Sequence, residues 1–236
     1  MTEPVVIFGT CRERMAYWEH IDSVLEAQRY LVSKGIAVGM IHDAPTYIRE
    51  GRLRITQKFL SMEGATHLCF VDSDNMLHEE TVWRLLKHNV PVIGALYFKR
   101  RGVPEAVAFK WANEEMQSCY SASQEIRDWM IERKVQLKAE PQIIDTYGDT
   151  LLQVDVLGFG GVLIRRDVLQ HLFDKYSDIF GGHAADVGED VYFSRLCALE
   201  GIPIYVDMAN IIGHLAHYDV TLHDFMQIGK WELESK

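Results

Sequence analysis

The chain has no CxxC pair: its four cysteines, Cys11, Cys69, Cys119 and Cys197, are scattered along the sequence. Zinc-ligand spacing is therefore missing, and the plain reading is reduced, partly buried thiols in a reducing compartment. No apolar run reaches the ~18 residues that a membrane span needs. The first ten residues, MTEPVVIFGT, lack the charged region and long apolar stretch of a secretory signal, so the cytoplasm is the expected location. A basic excess is missing too. With 24 Lys and Arg against 34 Asp and Glu, the formal net charge is −10. That argues against broad non-specific nucleic-acid binding, which needs a basic face to displace counterions. Internal repeats and low-complexity tracts are absent.

What remains is a chain of 236 residues, 48% hydrophobic and 25% charged, an ordinary globular balance. It is long enough to bury a core without disulfides or metals as staples. Pro4 to Gly9 is a β-branched run ending in glycine and reads as a buried first strand. Tyr17 to Ser33 carries apolar residues at helical spacing (Ile21, Val24, Leu25, Ala27, Leu31, Val32), and Gly35 closes it. Further strands are expected over Ile36 to Ile41, His67 to Val71 and Val90 to Leu96, with helices over Gly51 to Met62 and Glu79 to His88. Alternation of this kind indicates βαβ units and a mostly parallel sheet with helices on both faces.

The middle is less regular. Trp111 to Pro141 holds a charged, helix-like stretch from Ser123 to about Lys138 and looks like an insertion or lid. Beyond it, Leu152 to Val156 alternates, and Gly158-Phe159-Gly160-Gly161 leads into the apolar Val162-Leu163-Ile164. A helix follows from Asp167, another from Glu189 to Leu199, then strands over Ile202 to Val206 and at Ile211 to His214.

In open α/β sheets ligands bind beyond the carboxyl ends of the strands, and Thr10, Asp43 and Asp72 all fall at such ends. Phe70-Val71-Asp72-Ser73-Asp74 runs an apolar strand straight into two carboxylates two residues apart, which share a side of an extended chain. They repel unless a cation lies beside them, and a hard divalent ion would also keep positions for substrate phosphates. Taken alone, the same motif serves as a solvated turn capping the next helix. Gly188-Glu189-Asp190 sets two acids at a helix start, where one could act as general base on a hydroxyl and the other position the acceptor. Gly213-His214 offers an imidazole behind a glycine that allows close backbone approach, a suitable further ligand for an Mn²⁺-like ion. Lys99-Arg100-Arg101 could meet phosphate or acceptor, and Arg52 and Arg54 could face the same rim. His20, His217 and His223 have no comparable setting and read as surface or core residues.

Together these residues resemble the GT-A class of nucleotide-sugar glycosyltransferases, specifically the short family 2-like enzymes of bacteria and their phages. The matching elements run in order: VVIFGT, FVDSD, PVIGALYFKRR, VDVLGFGGVLIRR, GEDVYF, and IPIYVD followed by GH. They span Val5 to His214, and Trp111 to Asp149 falls outside the resemblance. The resemblance implies a single domain. Residues 1–110 would be its nucleotide-binding half, 111–149 an insertion or lid, and 150–236 the acceptor half and C-terminal tail.

It further implies that Asp74 ligates Mn²⁺ or Mg²⁺, with His214 as the C-terminal metal ligand. Asp72 would contact the ribose or sugar side of the donor, with Ser73 between the two acids. Asp190 would be the catalytic base with Glu189 beside it, and Thr10 and Asp43 would hold the base of the nucleotide, commonly uracil. Arg52 would lie at the donor, although Arg52-Leu53-Arg54 stands where the family has an Arg-Asn pair. Gly161 would border the donor sugar, and Phe159 and Gly160, with Arg100 and Arg101, the acceptor.

The implied reaction moves a sugar from a nucleotide-sugar donor to an acceptor hydroxyl with inversion. The acceptor could be a glycan, a small molecule or a modified base in phage DNA. For the last, Lys99, Arg100, Arg101, Arg165 and Arg166 would have to form a basic strip. Two other readings compete: a nucleotidyltransferase, which should carry a glycine-rich basic loop where this chain has Gly9-Thr10-Cys11-Arg12-Glu13-Arg14, and a non-catalytic nucleotide-sugar-binding module.

Overall fold

The computed structural model describes residues 3–11, 17–44, 47–100, 105–136, 138, 140–144, 149–181 and 187–215. In chain order the elements are β1 (Val5–Cys11), α1 (Trp18–Ser33), β2 (Ala37–Asp43), α2 (Ile48–Ser61), β3 (His67–Val71), β4 (Asn75–Met76), α3 (Thr81–His88) and β5 (Val92–Leu96). Next come β6 (Ala108–Trp111), β7 (Cys119–Ser121), α4 (Ser123–Glu132), β8 (Gln142–Ile143), β9 (Leu151–Val154), β10 (Val156–Leu157) and β11 (Gly161–Arg165). The last are α5 (Arg166–Tyr176), α6 (Glu189–Leu199), β12 (Ile204–Ile211) and β13 (Gly213–His214).

The central sheet has eight strands in the order β2-β1-β3-β11-β5-β12-β8, with β9 also paired to β12. β1 runs parallel to β2 and β3, and β12 parallel to β5. β11 is antiparallel to both its neighbours, β3 and β5. β1, β2, β3, β5 and β12 therefore point one way, and their carboxyl ends share an edge. Because β11 runs against them, its first residue, Gly161, pairs with Val71 at that same edge. β10, β6 and β7 form a small antiparallel sheet, and β4 pairs with β13.

Side-chain alternation along the strands builds the two sides of the core. Ile7, Leu68, Phe70, Val92, Val162 and Ile164 join one buried cluster with Phe59 of α2, Met130 of α4, Leu172 of α5 and Phe193 of α6. Val6, Phe8, Cys69, Val71, Ile93 and Leu163 join the other with Val24 and Leu31 of α1 and Leu85 of α3. Burying each such side chain is worth about 1.5–3 kcal/mol relative to exposure, so the core fixes which strand ends meet at the rim.

Local differences from the sequence reading have local causes. α1 buries His20, Ser23, Val24, Ala27 and Leu31, whereas Leu25 and Val32 face outward. The apolar stripe is narrower than expected because His20 and Ser23 complete it with hydrogen bonds of their own. α2 begins at Ile48 rather than Gly51. The helix after Ser123 ends at Glu132, and its Ile126, Trp129 and Met130 pack into the main core. Where two strands were expected near the C-terminus, β12 runs through to Ile211 with a register shift between Asp207 and Ile211, and only Gly213–His214 stands apart. Among the described residues no helix is long and apolar enough to cross a membrane.

Candidate active site

β3 delivers Asp72 to the carboxyl edge, and the chain turns at once, with the Asn75 amide donating to the Asp72 carbonyl at 3.0 Å. After this turn β4 pairs with β13, Asn75 opposite His214 and Met76 opposite Gly213. Three further bonds tighten the junction. Asn75 Nδ2 donates to the Gly213 carbonyl (2.9 Å), the Leu215 amide to the Asp74 carbonyl (2.6 Å), and His20 Nδ1 to the Asn75 carbonyl (2.9 Å).

The ladder sets His214 Nε2 3.7 Å from Asp74 Oδ2. His214 Nδ1 lies 2.8 Å from the Phe98 carbonyl, which can only accept, so Nδ1 carries a hydrogen and Nε2 is the ring nitrogen turned toward Asp74. Burial works to raise the Asp74 carboxyl, but His214 and Arg100 beside it prevail and hold it below the ordinary carboxylate value. Arg100 places a guanidinium nitrogen on Asp74 Oδ2, the same oxygen that His214 faces.

One carboxylate and one imidazole with its second nitrogen anchored fit a divalent ion of the Mn²⁺ type. Among the described residues there is no cluster of three or more His, Cys, Asp or Glu side chains that could hold a metal. An ion here would keep positions for water and for oxygen atoms of a ligand.

Arg52 of α2 is buried. Its Nη2 donates to Asp72 Oδ1 at 2.9 Å and its Nε to Glu189 Oε1 at 3.1 Å. The guanidinium lies over the rings of Phe159 (4.7 Å to the centroid) and Phe70 (5.4 Å). Burial opposes its charge, yet Asp72 and Glu189 keep it firmly protonated. Asp72 itself is pushed above the ordinary carboxylate value by burial, with Arg52 pulling the other way.

Glu189 and Asp190 open α6, where the free amides of a helix start favour negative charge. Asp190 Oδ1 accepts from the Val191 amide at 2.7 Å. Burial, with Glu189 adding, raises its carboxyl above the ordinary value.

The remaining expected residues have the following places. Thr10 is fully buried at the end of β1, and its Oγ1 has no hydrogen-bond partner among the described residues. Asp43 ends β2 with both oxygens on Arg54 (2.8 and 3.1 Å); that pairing, against some burial, lowers its carboxyl. Ser73 is half-buried in the turn. Phe159 lies in an aromatic cluster with Phe70, Phe180 and Phe193, and is 2% exposed, which leaves it packed in the core rather than open to an acceptor.

The glycines beside Phe159 also answer to packing. A Cβ at Gly160 would lie 2.6 Å from Asn75 Oδ1, and one at Gly161 2.6 Å from Ile212 Cδ1. The Gly160 amide donates to the Tyr97 hydroxyl at 3.2 Å, a support that the aromatic in PVIGALYF could have signalled.

Arg101 lies outside the described residues. Arg165 pairs with His67 at the opposite end of β3 from Asp72, and Arg166 donates to the carbonyls of Leu60, Met62 and Ala65. These two arginines are therefore at the far end of the sheet from Arg100, and the basic strip that a nucleic-acid acceptor would require does not form among the described residues.

Neither a protein-family model nor a curated protein matches the chain. Solved structures do. A197 from STIV aligns over 90% of this chain and 86% of its own length, with a TM-score of 0.50 and 15% identity. GalNAc-T7, solved with UDP, GalNAc and Mn²⁺, aligns over 90% of this chain at a TM-score of 0.53 and 11% identity.

The fold is GT-A.

This GT-A chain spans 43% of the aligned GalNAc-T7 chain, less than half of it. The sheet order, with antiparallel β11 set between β3 and β5, puts the two ends of the site on one edge: Asp72 and Asp74 after β3, and the Gly160-Gly161 corner leading into β11.

Proposed function

We propose that this chain is a metal-dependent glycosyltransferase that moves a sugar from a nucleotide-sugar donor, a UDP-sugar, to an acceptor hydroxyl with inversion at the anomeric carbon. The observation that carries the reading is the convergence of Asp74 with His214, and of Asp72 with Glu189, at the carboxyl edge of a GT-A sheet. The UDP, GalNAc and Mn²⁺ bound by GalNAc-T7, a structure of similar fold, support this choice of donor and ion.

Asp74 and His214 would hold the ion. Bound there, a divalent cation neutralises charge building on the departing diphosphate. Asp190 takes the proton of the acceptor hydroxyl while that oxygen bonds to the anomeric carbon and the bond to the phosphate oxygen breaks. One displacement with the base opposite the leaving group inverts the centre. A carboxyl raised above its ordinary value is a stronger base once ionised, which suits this role. Asp72 faces the ribose or sugar side of the donor, and Thr10 and Asp43 border its base. The acceptor is a hydroxyl of a glycan, a small molecule or a modified nucleic acid.

The test is release of UDP from a panel of UDP-sugars with Mn²⁺, in the wild type and in Asp190→Asn. Turnover that fails in the variant while UDP still binds supports the assignment. Binding of UDP-sugars with no turnover on any acceptor class would make the chain a binding module instead.

A further inference from the structure

Arg52 joins parts of the site that are far apart in sequence. Asp72 belongs to the turn after β3, Glu189 to the first turn of α6, and Arg52 to α2 between β2 and β3. Its side chain is 3% exposed, against 25% for Asp72 and 15% for Glu189, so a ligand at the rim meets the carboxylates before it can meet the guanidinium. A guanidinium is planar, and its Nε and Nη2 hydrogens point along fixed directions in that plane. With the plane laid over Phe159 and Phe70, those directions are set by the core itself. The two acids would otherwise repel each other, and Asp190 and Asp74 add further negative charge nearby.

We propose that Arg52 is a positioning residue that locks the donor-side Asp72 and the α6 acid Glu189 into one rigid unit, acting through these carboxylates without touching the donor. This rests on the reading of the site given above. Lysine cannot take the place of Arg52. An ammonium is a point charge with no fork, so it reaches one acid and loses the stacking plane.

The experiment compares wild type, Arg52→Lys, Glu189→Gln and the double variant, with Asp72→Asn as the reference for UDP affinity. Urea unfolding gives a double-mutant cycle that needs no activity: the link predicts that the two substitutions are not additive, and additive effects overturn it. For the folded Arg52→Lys protein, titration with UDP and Mn²⁺ should give an affinity close to wild type, while kcat for sugar release falls ~100-fold at nearly constant KM, the scale of an angstrom-sized misplacement. Loss of UDP affinity beyond that of Asp72→Asn would show that Arg52 touches the donor, and an unchanged kcat would show that it only stabilises the fold. Either result overturns the proposal. A wild type that binds no UDP defeats the functional reading instead, and the unfolding cycle still decides whether Arg52 couples the two acids.

Discussion

His214 Nε2 faces Asp74 Oδ2 at 3.7 Å because β4 and β13, two residues each, pair in a single antiparallel register. A slip of one residue would send the imidazole to the other face of the ribbon. The Phe98 carbonyl holds the Nδ1 side of the ring, so Nε2 is already turned toward Asp74 before any ion arrives. His214→Ala should lower Mn²⁺ affinity by at least about tenfold. Electron paramagnetic resonance of free Mn²⁺ reads this directly, and unchanged affinity would remove His214 from the site.

Arg100 sits on the Asp74 oxygen that an ion would need. A guanidinium and a divalent cation cannot share it, so binding of one must displace the other. In the absence of nucleotide, Arg100→Ala should tighten Mn²⁺ binding about two- to fivefold, the worth of a partly exposed ion pair. The same titration with UDP present should show weaker nucleotide binding if the displaced arginine moves to the diphosphate.

Burial and then Glu189 raise the Asp190 carboxyl above its ordinary value of 3.8. In its proposed role as base it must be ionised, so turnover should fall as pH drops, with the acid limb lying above 3.8. The sign for stability is opposite: a group with a raised folded pKa contributes stability below its unfolded pKa and loses it as pH rises through the folded one. At neutral pH the ionised Asp190 is therefore a cost to the fold. Asp190→Asn should melt slightly higher than wild type at pH 7 while kcat falls about 10²- to 10⁴-fold. A variant that is both inactive and less stable would contradict this account of Asp190.

Asp207 shows the reverse case. Its side chain is fully buried in β12 and accepts from Arg84 Nε (2.5 Å), His88 Nε2 (3.0 Å) and the Ala209 amide (3.1 Å). Burial opposes its ionisation, but His88 and Arg84 lower its carboxyl below 3.8. Its contribution to stability is present above the unfolded pKa and is lost as pH falls through the lowered folded value. Asp207→Ala should cost about 3 kcal/mol in urea unfolding, the lower end for breaking a buried pair, because Arg84 is partly exposed.

The strand-helix alternation was readable because each strand of the first half is a short apolar run with a glycine or polar residue at its end, and β3 and α6 fall where the pattern puts them. The approach of Asp74 to His214 was less so, since it depends on a two-residue ladder between distant segments that no periodicity records. Phe159 is expected to border the acceptor, yet it is packed in the core, and its glycine neighbours let Asn75, Tyr97 and Ile212 pack closely around that corner. Arg52 is expected at the rim beside the donor. Its burial follows only once the acids that pair with it are brought together from Asp72 and Glu189. Within the register shift of β12, Asp207 accepts from the Ala209 amide, a local pairing that no periodicity records.

The central claim, a metal-dependent donor site on Asp74 and His214, is tested most directly by calorimetric titration of UDP with Mn²⁺ and then with EDTA, on wild type and on Asp74→Ala. UDP binding that requires both the metal and Asp74 is the predicted result. Silence from UDP, and from GDP, CDP and dTDP under the same conditions, would contradict the transferase reading altogether.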